Sequence, residues 1–182
     1  MAITQEEAEQ VYRNADCLYS LDEVETALDS MAAAITDKLK GTDPVVLTVM
    51  NGGLMPAGRL LSRLDFPLRQ DYFHATRYRE ATSGRDLKWI RKPEFPLQGR
   101  TVLLIDDILD EGYTLEALLA ACQEMGASGI YSALLCEKEH DRGVEIDGDF
   151  VGLKVPDRYV FGYGMDYKGY LRNAPGIFAV SD

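Results

Sequence analysis

The stretch VLLIDDILDEGYTL, residues 102–115, indicates the fold class of this chain more clearly than any other segment. Residues 101–105 form a continuous apolar run, which predicts a central strand buried on both faces. A short loop containing Gly112 follows, and a helical pattern then runs over residues 115–125. A strand, a tight loop and a helix in this order are typical of a parallel α/β sheet.

Three carboxylates lie in the same segment, and they indicate the kind of ligand. Asp106 and Asp107 stand where the strand should end, and Asp110 follows three residues later. Backbone N–H groups in a loop before a helix N-terminus favour phosphate, and so does the helix dipole. Carboxylates beside a phosphate would repel it unless they bind a cation or sugar hydroxyls. The segment therefore predicts a ligand with a phosphate, a diol and bound Mg²⁺.

Two other interpretations also account for acids at a strand end. One is an acidic loop that caps a Rossmann-like strand and has no catalytic role. The other is a receiver-type phosphoacceptor domain, which would normally be shorter than 182 residues. A receiver domain also has no need for a glycine-bearing phosphate loop directly after the third acid.

Composition and charge restrict the class of protein and its partners. The 182 residues suit one domain with a full core, spanning residues 1–182. A net charge of −11 argues against a nucleic-acid partner. The N-terminal segment has no apolar signal core, and no run approaches a membrane span. Cys122 and Cys136 lie in apolar patterns and are predicted to be buried reduced thiols, so the cytoplasm is the expected compartment.

The remaining pattern predicts strands that alternate with helices. Two helices should open the chain, because Thr4 with Glu7 and Ser20 with Glu23 fit capping boxes. A third helix is predicted over residues 54–64. Strands are predicted at residues 45–50, 68–78, 130–136, 150–153, 159–161 and 177–180. We therefore expect an α/β fold: a mostly parallel twisted sheet with helices on both faces, and a small hood formed by the tail from Lys154.

The long segment 79–98 interrupts this alternation. It contains Ser83, Gly84, Pro93 and Pro96, and a loop of this length is usually functional or disordered. We expect a lid in which Thr82-Ser83-Gly84 closes over the site and Trp89 anchors the base of the loop. A merely disordered loop is the alternative.

Four further segments carry polar or aromatic residues after predicted strands. They are Met50-Asn51-Gly52-Gly53, Lys138, Pro156 to Tyr167 and Arg172. The segment at residues 102–115 resembles the phosphoribosyl-diphosphate (PRPP) signature of type I phosphoribosyltransferases. The four further segments occur in the family's order over residues 45–175. With them, the chain is most similar to the hypoxanthine-guanine enzymes of the 6-oxopurine branch.

The resemblance implies a binding site for PRPP. Asp106 and Asp107 would bind the ribose hydroxyls and the Mg²⁺ shell, and Asp166 would help to hold a second Mg²⁺. The pyrophosphate would contact Asn51, Gly52 and Arg172, after a cis peptide at Met50–Asn51. The 5′-phosphate would be bound by Glu111, Gly112, Tyr113 and Thr114. The chain departs from the family at Asn51, where many members have a basic residue, and at Glu111, where a small hydroxyl residue is usual.

The resemblance also implies a purine site. Lys138 would meet O6 of the base, since an ammonium group is donor-only and would clash with the amino donors of adenine. Tyr159 would stack on the base, Val160 would contact its edge through backbone groups, and Met165 would pack near the ring. Asp110 would act catalytically and accept the N7 proton as N9 attacks the anomeric carbon.

The implied activity is transfer of the 5-phosphoribosyl group from PRPP to hypoxanthine or guanine. The resemblance also implies that the chain forms a homodimer or a homotetramer. The sequence leaves two alternatives open. One is a different base, either xanthine or a pyrimidine. The other is a non-catalytic PRPP-sensing regulator that binds RNA or DNA. The net charge of −11 and the intact Asp110 argue against the regulator.

Overall fold

The structure, a computed structural model, describes residues 3–77, 87–141 and 143–181. Its helices are α1 (Gln5–Asn14), α2 (Leu21–Leu39), α3 (Leu54–Leu61) and α4 (Tyr113–Glu124). Its strands are β1 (Asp16–Ser20), β2 (Val45–Met50), β3 (Arg69–Arg77), β4 (Leu87–Arg91), β5 (Thr101–Leu109), β6 (Gly129–Glu139), β7 (Phe150–Pro156), β8 (Val160–Phe161) and β9 (Gly176–Ala179).

Six strands form the central sheet in the order β4-β3-β2-β5-β6-β7. All neighbouring pairs are parallel except β3 and β4, which are antiparallel. One face packs against α2 and α3, and the other packs against α4. On β5, Leu103 and Ile105 belong to the first core, whereas Val102 and Leu104 belong to the second. The predicted α/β fold with helices on both faces is confirmed.

A small antiparallel sheet forms the hood, in the order β1-β9-β8. The sequence predicted a hood from the C-terminal tail alone, but β1 from the N-terminal region completes it by pairing with β9. Both predicted capping boxes are present, at Thr4 and at Ser20. The Ser20 box therefore marks a direct change from β1 into α2.

Strand β5 is longer than the sequence predicted. Its pairing with β2 ends at Thr48 and Ile105, but its pairing with β6 continues as far as Leu109 and Glu137. The acidic pair Asp106-Asp107 therefore lies within the strand and not after it. Because the pairing of β5 with β2 ends at Ile105, the loop after β2, and not β2 itself, lies beside the acidic pair.

The expected lid segment also contains regular structure. Residues 87–91 form β4, which pairs with β3, and the Trp89 ring lies 5.3 Å from the Phe73 ring. Trp89 thus packs at the base of this segment as expected, but on a strand. The proposed closing residues Thr82-Ser83-Gly84 lie outside the described residues.

The cysteines are free thiols, and Cys122 and Cys136 are buried as predicted, whereas Cys17 is exposed. Burial raises the pKa of Cys122 to about 12 and raises that of Cys136 as well. Both thiols are therefore poor nucleophiles. Among the helices that the structure describes, none is long and apolar enough to cross a membrane.

An ion-pair cluster joins α2, α3 and the segment after β8. The carboxylate of Glu25 lies 2.9 Å from the Arg59 guanidinium and 2.6 Å from that of Arg63. The Tyr163 hydroxyl donates to the same carboxylate at 2.5 Å. Burial alone would raise the pKa of Glu25, but hydrogen bonds from Arg59, Tyr163 and Arg63 outweigh it and lower the pKa to about 2.

We expect this cluster to make stability depend on pH. The pKa of Glu25 is below its ordinary value of 4.5, so its contribution is complete above about 4.5 and is lost as pH falls toward 2. Glu25→Gln should lower the free energy of unfolding at pH 7 by roughly 1–3 kcal/mol, the range for hydrogen bonds to charged groups. The free energy of unfolding, measured by urea denaturation, should also fall less steeply in this variant as the pH is lowered. Glu124→Gln, on the exposed face of α4, is the control. Equal acid dependence in wild type and Glu25→Gln would contradict this account.

Candidate active site

A cavity of about 550 Å³ lies at the carboxyl ends of the parallel strands, between the central sheet and the hood. It lies where β2 and β5 meet, and the chain leaves these two strands toward opposite edges of the sheet. Open α/β sheets bind ligands at such a point. The cavity is lined by all the predicted site residues except Glu111 and Tyr113, namely Asn51, Gly52, Asp106, Asp107, Asp110, Gly112, Thr114, Lys138, Tyr159, Val160, Met165, Asp166 and Arg172.

The acidic pair lies on the wall of this cavity. The Asp106 carboxylate accepts from the backbone N–H of Asp107 at 2.9 Å, and the Asp107 carboxylate accepts from that of Ile108 at 2.8 Å. Burial raises the pKa of Asp106 well above its ordinary value, and the Asp107 carboxylate adds to the shift. Burial also raises the pKa of Asp107. Two adjacent, partly buried carboxylates are stabilised by a cation, and an all-oxygen donor set suits Mg²⁺.

The loop after β2 approaches the acidic pair closely. A Cβ atom on Gly52 would lie only 2.0 Å from an oxygen of Asp107, and one on Gly164 would lie 2.2 Å from the Gly52 carbonyl oxygen. Only glycine permits this contact between the loop, β5 and the hood segment. The peptide bond Met50–Asn51 is cis, as the resemblance implied.

The loop after β5 leads into the N-terminus of α4. Gly112, with φ of 87°, occupies the N-cap position, and it makes no side-chain cap. A Cβ atom there would lie 2.7 Å from Ile146, so glycine is required. The Glu111 carboxylate accepts from the backbone N–H of Gly143 at 3.2 Å, away from the cavity lining. This direction accounts for an acid in a phosphate-type loop. Tyr113 also lies outside the lining, while Thr114 borders the cavity.

Asp110 lies beside two basic side chains that come from β6 and the residue after it. The Lys138 ammonium lies 3.4 Å from one carboxylate oxygen of Asp110, and His140 Nε2 lies 2.9 Å from the other. Lys138 also lies 3.4 Å from the carboxylate of Asp157. The sequence motifs assigned no role to His140 or to Asp157. The spacing of Lys138 and His140 was the missed signal, because residues two apart along a strand point to the same face.

The hood supplies an apolar side of the cavity. Val160 and Met165 are buried, while Tyr159 is 49% exposed. The Tyr159 ring meets the Tyr167 ring edge to face at 5.2 Å, which supports an aromatic surface open to the cavity. His74, which also lines the cavity, was not assigned from the sequence.

Arg172 connects the hood with the acidic wall. Its guanidinium lies 2.5 Å from the Asp166 carboxylate, donates to the Gly164 carbonyl at 2.6 Å and lies 3.9 Å from Asp107. The Asp166 carboxylate also accepts from the backbone N–H of Gly169 at 2.7 Å. The guanidinium of Arg172 suits the oxygens of an anionic ligand, and the carboxylates beside it suit a cation bound to that ligand.

The fold and this cavity define the class of protein, and a comparison with known families agrees. Residues 14–168 match the phosphoribosyl transferase domain, and the chain belongs to that family. The chain is 33% identical over 161 residues to a hypoxanthine-guanine phosphoribosyltransferase of Bacillus subtilis, covering 88% of this chain and 89% of the relative. It is 30% identical over 161 residues to a hypoxanthine-guanine-xanthine phosphoribosyltransferase of Tritrichomonas foetus, covering 88% of each chain.

Solved structures agree with the sequence relatives. A hypoxanthine phosphoribosyltransferase from Staphylococcus aureus superposes with a TM-score of 0.88 at 26% identity, covering 93% of this chain and 94% of the other. The resemblance inferred from the sequence motifs is therefore confirmed.

Proposed function

We propose that this protein transfers the 5-phosphoribosyl group of PRPP to N9 of hypoxanthine or guanine, giving inosine or guanosine monophosphate and pyrophosphate. The observation that carries the proposal is the contact between Asp110 and Lys138 inside a cavity that the PRPP-type loop also borders. A proton acceptor and a donor-only cation thus lie side by side, in an arrangement that suits N7 and O6 of one purine. The names of the relatives support the same substrates. We also propose that residues 1–182 form one domain and that its free thiols suit the cytoplasm.

The base would bind between the end of β6 and the hood. Tyr159 offers an exposed aromatic face, and the buried side chains of Val160 and Met165 exclude water beneath it. Lys138 donates to O6, and Asp110 accepts the proton of N7 as N9 forms its bond to the anomeric carbon. Lys138 is well placed for this contact because the carboxylates of Asp110 and Asp157 hold it from two sides.

The PRPP would occupy the acidic side of the cavity. Backbone N–H groups of residues 111–114, at the uncapped N-terminus of α4, would bind the 5′-phosphate, with the Thr114 hydroxyl beside them. Asn51, Gly52 and Arg172 would contact the pyrophosphate. Asp106 and Asp107 would bind the ribose hydroxyls. The excess of negative charge on ligand and wall requires a cation between them.

The carboxylates of Asp106, Asp107 and Asp166 fit Mg²⁺, since all three line the cavity and offer hard oxygen donors. Asp106 and Asp107 would hold one ion with PRPP, and Asp166 would help to hold a second. When bound, Mg²⁺ would neutralise the charge that develops on the departing pyrophosphate.

A substrate panel tests this proposal. Purified protein with PRPP and Mg²⁺ should convert hypoxanthine and guanine and discriminate against adenine. Lys138→Ala should raise KM for both 6-oxopurines by roughly 10- to 100-fold, the loss expected for a hydrogen bond to a charged group, and should narrow the discrimination against adenine. Lys40→Ala, at the exposed end of α2, is the matched control.

The panel also decides between bases. Xanthine belongs in it because the Tritrichomonas foetus relative is named for all three 6-oxopurines. If Lys138→Ala keeps both affinity and selectivity, the purine is recognised elsewhere. If no purine is converted by the wild-type protein, the proposed function is wrong.

A further inference from the structure

His140 has an oxygen acceptor facing each of its two ring nitrogens. Nε2 lies 2.9 Å from a carboxylate oxygen of Asp110, and Nδ1 lies 3.0 Å from the backbone carbonyl oxygen of Asp141. A neutral imidazole carries a single N–H and can donate to only one of these oxygens. The protonated ring donates to both, so the geometry around His140 stabilises the imidazolium form.

The charges around the ring act in the same direction. The Asp141 carbonyl contact and then the Asp110 contact raise the pKa of His140 above 6.5, against the lowering effect of burial, and the charge of Asp157 adds to the rise. His140 also borders a shallow depression that shares Lys138 with the cavity. Among the described residues, the acids near the ring or in this depression are Asp110, Glu111, Glu137, Glu139, Asp141 and Asp157, and the bases are Lys138 and Lys154. The ring therefore lies in a largely acidic environment.

Lys138 and His140 contact different carboxylate oxygens of Asp110. The side chain of His140 is only 12% exposed, and His140 is one of the residues that border the shallow depression. His140 does not line the substrate cavity. Its contact with the cavity-lining groups is made through Asp110.

We propose that His140 is a positioning residue that fixes the carboxylate of Asp110 and makes its acceptance of the purine proton depend on pH. This inference rests on the proposed function. When the ring is protonated, its charge stabilises the Asp110 carboxylate and opposes proton uptake from N7. When the ring is neutral, that opposition is removed while one N–H still orients the carboxylate. The rate of phosphoribosyl transfer should therefore rise as pH increases through the titration of His140.

The titration itself can be observed without any enzymatic assay. The chain has two histidines, so ¹H–¹⁵N spectra of the ring nitrogens contain two sets of signals, one for each ring, which His74→Gln assigns. We expect the pKa of His140 to lie above 6.5 and to fall in Asp110→Asn, which removes the carboxylate charge. An ordinary pKa for His140 that Asp110→Asn leaves unchanged would overturn the proposal.

Single-turnover rates then test the effect on the reaction. His140→Gln keeps an N–H donor for Asp110 but does not titrate. At pH values below the His140 titration, the wild-type rate should be about 3- to 10-fold lower than that of His140→Gln, and the two rates should converge above it. The comparison cancels the titration of the substrates, which is common to both proteins. A ratio of the two rates that does not vary with pH would overturn the proposal.

His140→Ala tests positioning separately from charge. Above the titration it should be about 10-fold slower than wild type, and His140→Gln should restore most of the loss, since it replaces the donor. Equal rates for His140→Ala and wild type would contradict a positioning role. Thermal denaturation checks that both variants are folded.

If the wild-type protein converts no purine, the proposed function fails. If purines are converted but the two rate profiles are parallel, only the role of His140 fails.

Discussion

Asp110→Asn should lower kcat by about 10²–10⁴-fold while PRPP binding changes far less. The asparagine side chain has nearly the same shape and can still accept a hydrogen bond from Lys138 or His140, but its amide cannot take up the N7 proton. Asp110 directly follows β5 and contacts Lys138, the side chain proposed to donate to the base. The variant should therefore separate the chemical step from the binding of PRPP.

The measurement is kcat with hypoxanthine, together with the dissociation constant of PRPP in the presence of Mg²⁺. Asp65→Asn makes the same chemical change at an exposed position after α3 and is the control. Near-normal turnover in Asp110→Asn would show that another group accepts the proton. A large loss of PRPP affinity would instead place Asp110 in the phosphate site.

The central sheet was predictable from the sequence because its strands are buried on both faces. Residues 45–50 and 101–105 are continuous apolar runs for that reason, and both occur in the structure as β2 and the first part of β5. The two N-terminal capping boxes were predictable because the cap is a local interaction over four residues. Local chemistry and burial on both faces leave clear signals in a single sequence.

Strands β1 and β4 were missed because their partners decide them. Residues 16–20 carry a mixed pattern and become a strand by pairing with β9, more than 150 residues later in the chain. Residues 87–91 lie between a turn-rich segment and two prolines, and they pair with β3 at the edge of the sheet. For such short strands, pairing with a neighbouring strand contributes more to the stability of the strand than the intrinsic β propensity of its residues does.

The residues that line the cavity were largely predictable, whereas the contacts among them were not. The motifs place Asp110 and Lys138 at the ends of two strands, and parallel neighbours bring these ends together. The contact of His140 with Asp110 depends on the register of β5 against β6, in which Leu109 pairs with Glu137. Similarly, the direction of Glu111 toward the Gly143 backbone depends on a loop whose position no local pattern encodes.

Removal of divalent cations should abolish turnover. Asp106 and Asp107 lie side by side on the cavity wall, with their pKa values raised by burial, and the chain carries a net charge of −11. PRPP is itself highly anionic, so its binding beside these carboxylates requires a bridging cation. Excess EDTA should reduce the rate to the detection limit, and added Mg²⁺ should restore it. Full turnover in metal-free buffer would remove the Mg²⁺-PRPP proposal.

Asp166→Ala should separate the second proposed ion from the first. Asp166 is held by the Arg172 guanidinium and the Gly169 N–H, on the hood side of the cavity. Its loss removes a carboxylate near the proposed pyrophosphate position and leaves Asp106, Asp107 and the loop before α4 unchanged. We therefore expect weaker binding of PRPP and pyrophosphate, by roughly 10- to 100-fold as for a lost charge-assisted contact, with little change for inosine monophosphate. Calorimetric titration of each ligand with and without Mg²⁺ measures this difference. Equal losses for the nucleotide and for pyrophosphate would instead indicate that Asp166 supports the shape of the hood.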